Sequence, residues 1–76
     1  VEIFNGQFNP PTLTIKAPNQ VAWKNKDGKT HKIIGEGWGT IPIEDGESFV
    51  ATFDKPGTYS YSCAFYPEMK GTIIVE

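Results

Sequence analysis

The 76-residue chain has one cysteine, one histidine and no arginine. Each scarcity removes a class of protein. A lone cysteine cannot close an internal disulfide, so the covalent stapling on which many small domains rely is unavailable. A structural zinc site wants four His or Cys ligands, and only two such residues exist. Copper enzymes with a second, all-imidazole centre fail the same count. The single histidine comes with no nucleophile elbow, so a hydrolase is not indicated. A phosphate-binding loop of the GxxxxGK(S/T) kind is missing too. Without arginine, all seven basic residues are lysine, and no guanidinium is present for bidentate contacts to phosphate or guanine; nucleic-acid binding is not expected. No window approaches about 18 consecutive apolar residues, so no spanning segment is expected in this chain.

What is present is turns. Hydrophobic residues make up 38% and charged residues 21%, a lean globular composition for one domain, residues 1–76, with a net charge of −2. Asn5-Gly6, Asn9-Pro10-Pro11, Pro18-Asn19, Asp27-Gly28, Asp45-Gly46, Pro56-Gly57 and Lys70-Gly71 punctuate the chain about every ten residues. Between them the side chains alternate: Leu13 and Ile15, Val21 and Trp23, Phe49, Ala51 and Phe53, Tyr59 and Tyr61, Ile73 and Val75. A period of two fits half-buried strands and no window fits a helix. The pattern predicts strands at 1–5, 11–17, 20–25, 31–35, 47–53, 58–63 and 71–76. The expected fold is an all-β Greek-key sandwich of six to eight strands. Trp23, Ile15, Phe53, Tyr61 and Val75 should lie largely inside. The stretch from Gly35 to Gly46, which carries Trp38, reads as a loop or crossover. Lys24, Lys26, Lys29 and Lys32, interrupted by Asp27, read as a solvated hairpin. The chain begins at Val1 and reads as a processed or trimmed product.

Chemistry concentrates in Cys63-Ala64-Phe65-Tyr66-Pro67-Glu68-Met69. Cys63 ends a tyrosine-rich strand, and Met69 follows six residues later on the same loop. Thiolate and thioether are soft donors that suit copper. Each alone is more simply read as a buried hydrophobe or a gap filler; their pairing on one short loop favours a metal. His31 opens the strand Lys32-Ile33-Ile34, whose start could lie at the same end of a sandwich.

These residues carry a resemblance. Val21-Ala22-Trp23-Lys24-Asn25 is similar to a V-x-W-x-N strand. Phe53 to Cys63 follows F-x-x-x-G-x-Y-x-Y-x-C, and Met69 to Val75 follows M-x-G-x-(I/V)-x-V. Together they resemble the cupredoxins, small blue-copper proteins, above all their short amicyanin and plastocyanin type. The resemblance implies one copper ion, Cu(I)/Cu(II), and electron transfer without enzymatic catalysis. It implies redox protein partners docking at an apolar loop surface, a monomer, and a periplasmic or extracytoplasmic location, with membrane tethering where the full-length protein carries an anchor. By position His31, Cys63 and Met69 carry over as metal ligands. The family loop reads C-x-x-H-x-x-M, however, and here Tyr66 stands at the second histidine. Lys32 also replaces a frequent Asn whose side chain can tie the two ligand loops together. Three readings of Tyr66 follow: it binds copper as phenolate, it swings out and leaves a three-ligand site, or it packs beside Phe65 without metal. The alternative function is a metal-free or Cu(I)-trafficking module that binds a protein through Phe65-Tyr66-Pro67.

Overall fold

A computed structural model describes residues 1–40 and 42–76. Nine strands form two sheets, and the described residues contain no helix. They are β1 Glu2–Phe4, β2 Gln7–Asn9, β3 Thr12–Ile15, β4 Asn19–Asn25, β5 Ile33–Gly35, β6 Trp38–Gly39, β7 Ser48–Phe53, β8 Gly57–Cys63 and β9 Lys70–Val75. One sheet runs β2-β1-β4-β7 and the other β3-β9-β8-β5-β6. The chain changes sheet after β2, β3, β4, β6 and β7, as a Greek-key sandwich requires. Two pairings, β1 with β4 and β3 with β9, are parallel; the rest are antiparallel.

The expected all-β sandwich is therefore the fold, with nine strands because two short ones add to the seven anticipated. The anticipated strand 1–5 is present as β1, and it is the first arm of a hairpin whose second arm, β2, was not anticipated. Asn5 and Gly6 both have positive φ, 55° and 70°, the backbone of a tight two-residue turn that Asn-Gly favours. Trp38–Gly39 pairs with Ile34 and Gly35, so part of the anticipated 35–46 loop is strand; Ile41 within that stretch lies outside the described residues.

The core follows the alternation. Trp23, Phe53, Tyr61 and Val75 are buried. Ile15 is only half-buried, because β3 is an edge strand and lacks a neighbour on one side. Trp23 is the hub: its ring lies 5.3 Å from Tyr61, 5.6 Å from Trp38 and 5.9 Å from Phe49, centroid to centroid. Tyr61 also meets Phe8 edge-on at 4.8 Å. Aromatic contacts of this kind join the sheets and supply much of the apolar area a small domain can bury.

Candidate metal centre

Three connections meet at one end of the sandwich. Parallel pairing of β1 with β4 puts the Asn5-Gly6 turn beside the segment that leaves Asn25. Antiparallel pairing of β8 with β5 and with β9 sets Cys63 opposite Ile33 and next to the start of β9. The 26–32 segment, the 64–69 loop and the hairpin turn therefore share one rim.

His31 is fixed there by its backbone. Its amide donates to the Ile43 carbonyl at 3.0 Å, and its own carbonyl accepts from the Ile43 amide. The anticipated strand 31–35 thus starts as a single bridge at His31, and the regular ladder begins at Ile33. The preceding turn is organised by Asn25, which is wholly buried. Its Nδ2 donates to the carbonyls of Lys29 at 2.7 Å and Ile43 at 2.8 Å, and its Oδ1 accepts from the Asp27 amide at 3.0 Å. A buried amide is stable only when so satisfied.

The imidazole faces two ways. Nδ1 lies 3.3 Å from Cys63 Sγ, and Nε2 lies 2.7 Å from Asp27 Oδ2. His31 and Cys63 are both essentially inaccessible to solvent, at 1% and 0% exposure. Asp27 Oδ1 accepts from the Gly6 amide at 3.3 Å. Burial works to raise the Asp27 pKa, but the His31 hydrogen bond and the Gly6 and Asn5 amides outweigh it. The carboxyl therefore sits below its usual range.

The Cys63 loop closes on itself. The Cys63 amide donates to the Met69 carbonyl at 3.1 Å, and the Met69 amide donates to the Tyr66 carbonyl at 2.9 Å. The Ala64 amide donates to the Lys32 carbonyl at 2.7 Å, which joins the two loops through the main chain where the side chain of an Asn is absent. Met69 is buried. It lines, with His31, Tyr66, Asp27, Lys29 and Gly6, an open cleft of about 290 Å³. Tyr66 is half-buried, its ring 5.3 Å from the His31 ring and 5.7 Å from the Lys29 ammonium. Phe65, beside it, is 51% exposed.

All four anticipated residues are thus at this rim. His31 and Cys63 are in direct contact, Met69 is tied to Cys63 through the backbone, and Tyr66 stacks at an angle on His31. Among the described residues no three His, Cys, Asp or Glu donors converge, because Asp27 occupies the side of the imidazole remote from the sulfur. The candidate donors at this rim are one imidazole nitrogen, a thiol, a thioether and a phenol. Such a set fits copper far better than metals that prefer oxygen.

Sequence reading overlooked Asp27, which looked like turn punctuation in a lysine-rich hairpin. Its signal was an acid four residues before the only histidine. The lysines are also less free than anticipated: Lys24 Nζ donates to the Gly46 carbonyl, Lys26 pairs with Glu2, and Lys29 lies over Tyr66.

The family profile described as the cupredoxin-like domain matches residues 1–75. The chain is a cupredoxin. It belongs to a family of copper-containing electron carriers with this sandwich fold. It is 32% identical over 83 residues to amicyanin-alpha of Methylorubrum extorquens, covering all of this chain and 70% of that protein. It is 38% identical over 84 residues to a plastocyanin of Scenedesmus fuscus, covering 91% of this chain and 86% of that one. A reduced, Cu(I) form of an amicyanin variant superposes with a TM-score of 0.96 at 26% identity, covering 100% of this chain and 79% of that chain.

Proposed function

We propose that this cupredoxin carries single electrons at one copper ion held by His31, Cys63 and Met69, with Tyr66 standing where the family has its second imidazole. The observation that carries this reading is the buried approach of His31 Nδ1 to Cys63 Sγ at 3.3 Å. When bound, copper supplies a one-electron couple between its cuprous and cupric forms. The protein's part is to hold soft and borderline donors in fixed positions, so that little rearranges when the charge changes. His31 is anchored through Ile43 and Asp27, and Cys63 through Met69. Burial of Cys63 also keeps the thiol from intermolecular oxidation. Phe65, exposed next to the centre, offers the apolar surface on which a redox partner docks. Action as a monomer outside the cytosol is part of the same proposal and rests on the family resemblance.

Tyr66 distinguishes this centre from its relatives. A phenolate is a harder donor than imidazole and favours the cupric form, so the reduction potential is lower than with histidine. The test is spectroscopic. Tyr66→His adds the second nitrogen and gives intense visible absorption toward the red on cupric loading. The unmodified protein shows a weaker or shifted band, and Tyr66→Phe loses it. Absence of intense colour in a folded, cupric-loaded Tyr66→His variant would overturn the assignment.

A second reading is favoured by the exposure of Phe65 beside a half-buried tyrosine: a Cu(I)-trafficking or metal-free module that binds a protein through Phe65-Tyr66-Pro67. Uptake of cuprous but not cupric ion by the unmodified protein selects trafficking; uptake of neither selects the metal-free module.

A further inference from the structure

Asp27 has no role in the ligand set, yet it is among the most constrained acids in the molecule. One carboxylate oxygen takes the Gly6 amide of the β1–β2 turn, the other takes His31 Nε2, and its own amide is bonded to Asn25 Oδ1. The next residue is held as well, since the Gly28 amide donates to Asp45 Oδ1 at 3.0 Å. The Asp27 side chain is only 10% exposed, so water competes little for these bonds.

Resting on the copper reading above, we infer that Asp27 is a positioning residue: its carboxylate holds His31 in the Nε2–H tautomer and thereby turns the Nδ1 lone pair toward Cys63 Sγ. The chemistry is that of acceptors and donors. An ionised carboxylate only accepts, so the nitrogen 2.7 Å from it must carry a hydrogen. A neutral imidazole has one such hydrogen, which leaves Nδ1 as the acceptor. In the metal-free protein the Cys63 thiol donates to that lone pair across 3.3 Å. A soft cation bound here would be held by His31 Nδ1 and Cys63 Sγ, two donors already aimed at one another, with the thiol proton passing to solvent. The ring cannot turn over to offer Nε2 instead without abandoning a nearly buried carboxylate. The anionic partner also makes the imidazole a stronger donor. Because Gly6 completes the carboxylate's shell, the β1–β2 turn, remote from the ligand loops in sequence, becomes part of the metal centre's support.

The test has two arms. The first uses the unmodified, metal-free protein and long-range proton–nitrogen correlation of the His31 ring. The inference expects protonated Nε2 and unprotonated Nδ1; a ring protonated at Nδ1, with or without Nε2, overturns it. The second measures cuprous affinity by competition with a chelating dye, together with thermal melting, for Asp27→Asn and Asp27→Glu. Asp27→Asn keeps the shape but can turn its amide N–H toward Nε2, which favours the wrong tautomer. A loss of about 10–100-fold in affinity is expected, with Nδ1 becoming protonated in the metal-free variant. Asp27→Glu retains an anionic acceptor and recovers most of the loss. Unchanged affinity in folded Asp27→Asn overturns this inference alone. No cuprous uptake by the unmodified protein overturns the copper reading and this inference with it.

Discussion

Tyr61 carries its hydroxyl into the aromatic core, where that oxygen finds no hydrogen-bond partner among the described residues. Burial raises the pKa of the phenol, and the Trp23 indole offsets this only in part, without closing a bond of normal geometry. The ring itself is well placed. Its tip lies against Gly71, where a Cβ would come within 2.3 Å of Cζ and of the hydroxyl oxygen. That close approach explains a glycine in the M-x-G ending, which sequence reading could match to a family but not explain. The ring is needed, then, and the hydroxyl is a cost. Tyr61→Phe is expected to stabilise the fold by about 1 kcal/mol, since it removes a buried polar atom left without a partner. Urea unfolding of the two proteins checks this. A loss of stability would mean that the hydroxyl is satisfied after all.

Asn25 shows how one residue at the end of a strand can shape the next connection. Its side chain donates two hydrogen bonds and accepts one, and these fix the backbone of 27–29 and reach across to Ile43, the residue that anchors His31. Asn25→Ala leaves two carbonyls and an amide without that partner and is expected to cost about 2–3 kcal/mol. Hydrogen exchange should quicken at Asp27 and His31 more than in β8 or β9. An effect spread evenly over the molecule would refute this local role. At this scale the sequence was read unevenly. The long strands β4, β7, β8 and β9 announced themselves, because six or seven residues suffice for alternation to be seen. The three-residue β2 and two-residue β6 did not, since so short a run has no period; only the Asn5-Gly6 turn pointed to a hairpin. The ligand loop was legible because Cys63 and Met69 are close in sequence. The Asp27–His31 contact was not, because an acid before a glycine looks like any turn, and its meaning depends on which way the imidazole faces.

As a whole the molecule is small for its task. Its accessible surface is 4573 Å², close to the roughly 4600 Å² expected of a compact chain of this mass, which means that only about 60% of the unfolded chain's surface is buried. No disulfide supplements that core, since Cys63 is the one cysteine and is free. The topology compensates by gathering the loops of His31, Cys63 and Met69, otherwise the least supported part of a sandwich, at one end. His31 lies in the β4–β5 connection and Cys63 ends β8 where the β8–β9 connection begins, 32 positions apart in the chain. A metal bound between them closes those connections to one another in the folded state only. Copper should therefore act as the missing crosslink. At a free cuprous concentration a thousandfold above the dissociation constant, linkage gives about 4 kcal/mol. Each kcal/mol moves the melting temperature of a domain this small by roughly 4–8 °C. Calorimetry under reducing conditions, with copper buffered by a chelator, should show a melting temperature that climbs with free cuprous ion. Cys63→Ser keeps a small side chain beside His31 but removes the soft sulfur, so its melting temperature should stay flat over the same range. An equal climb in Cys63→Ser would place the stabilising copper elsewhere on the surface and leave the His31–Cys63 contact as a packing interaction of the core.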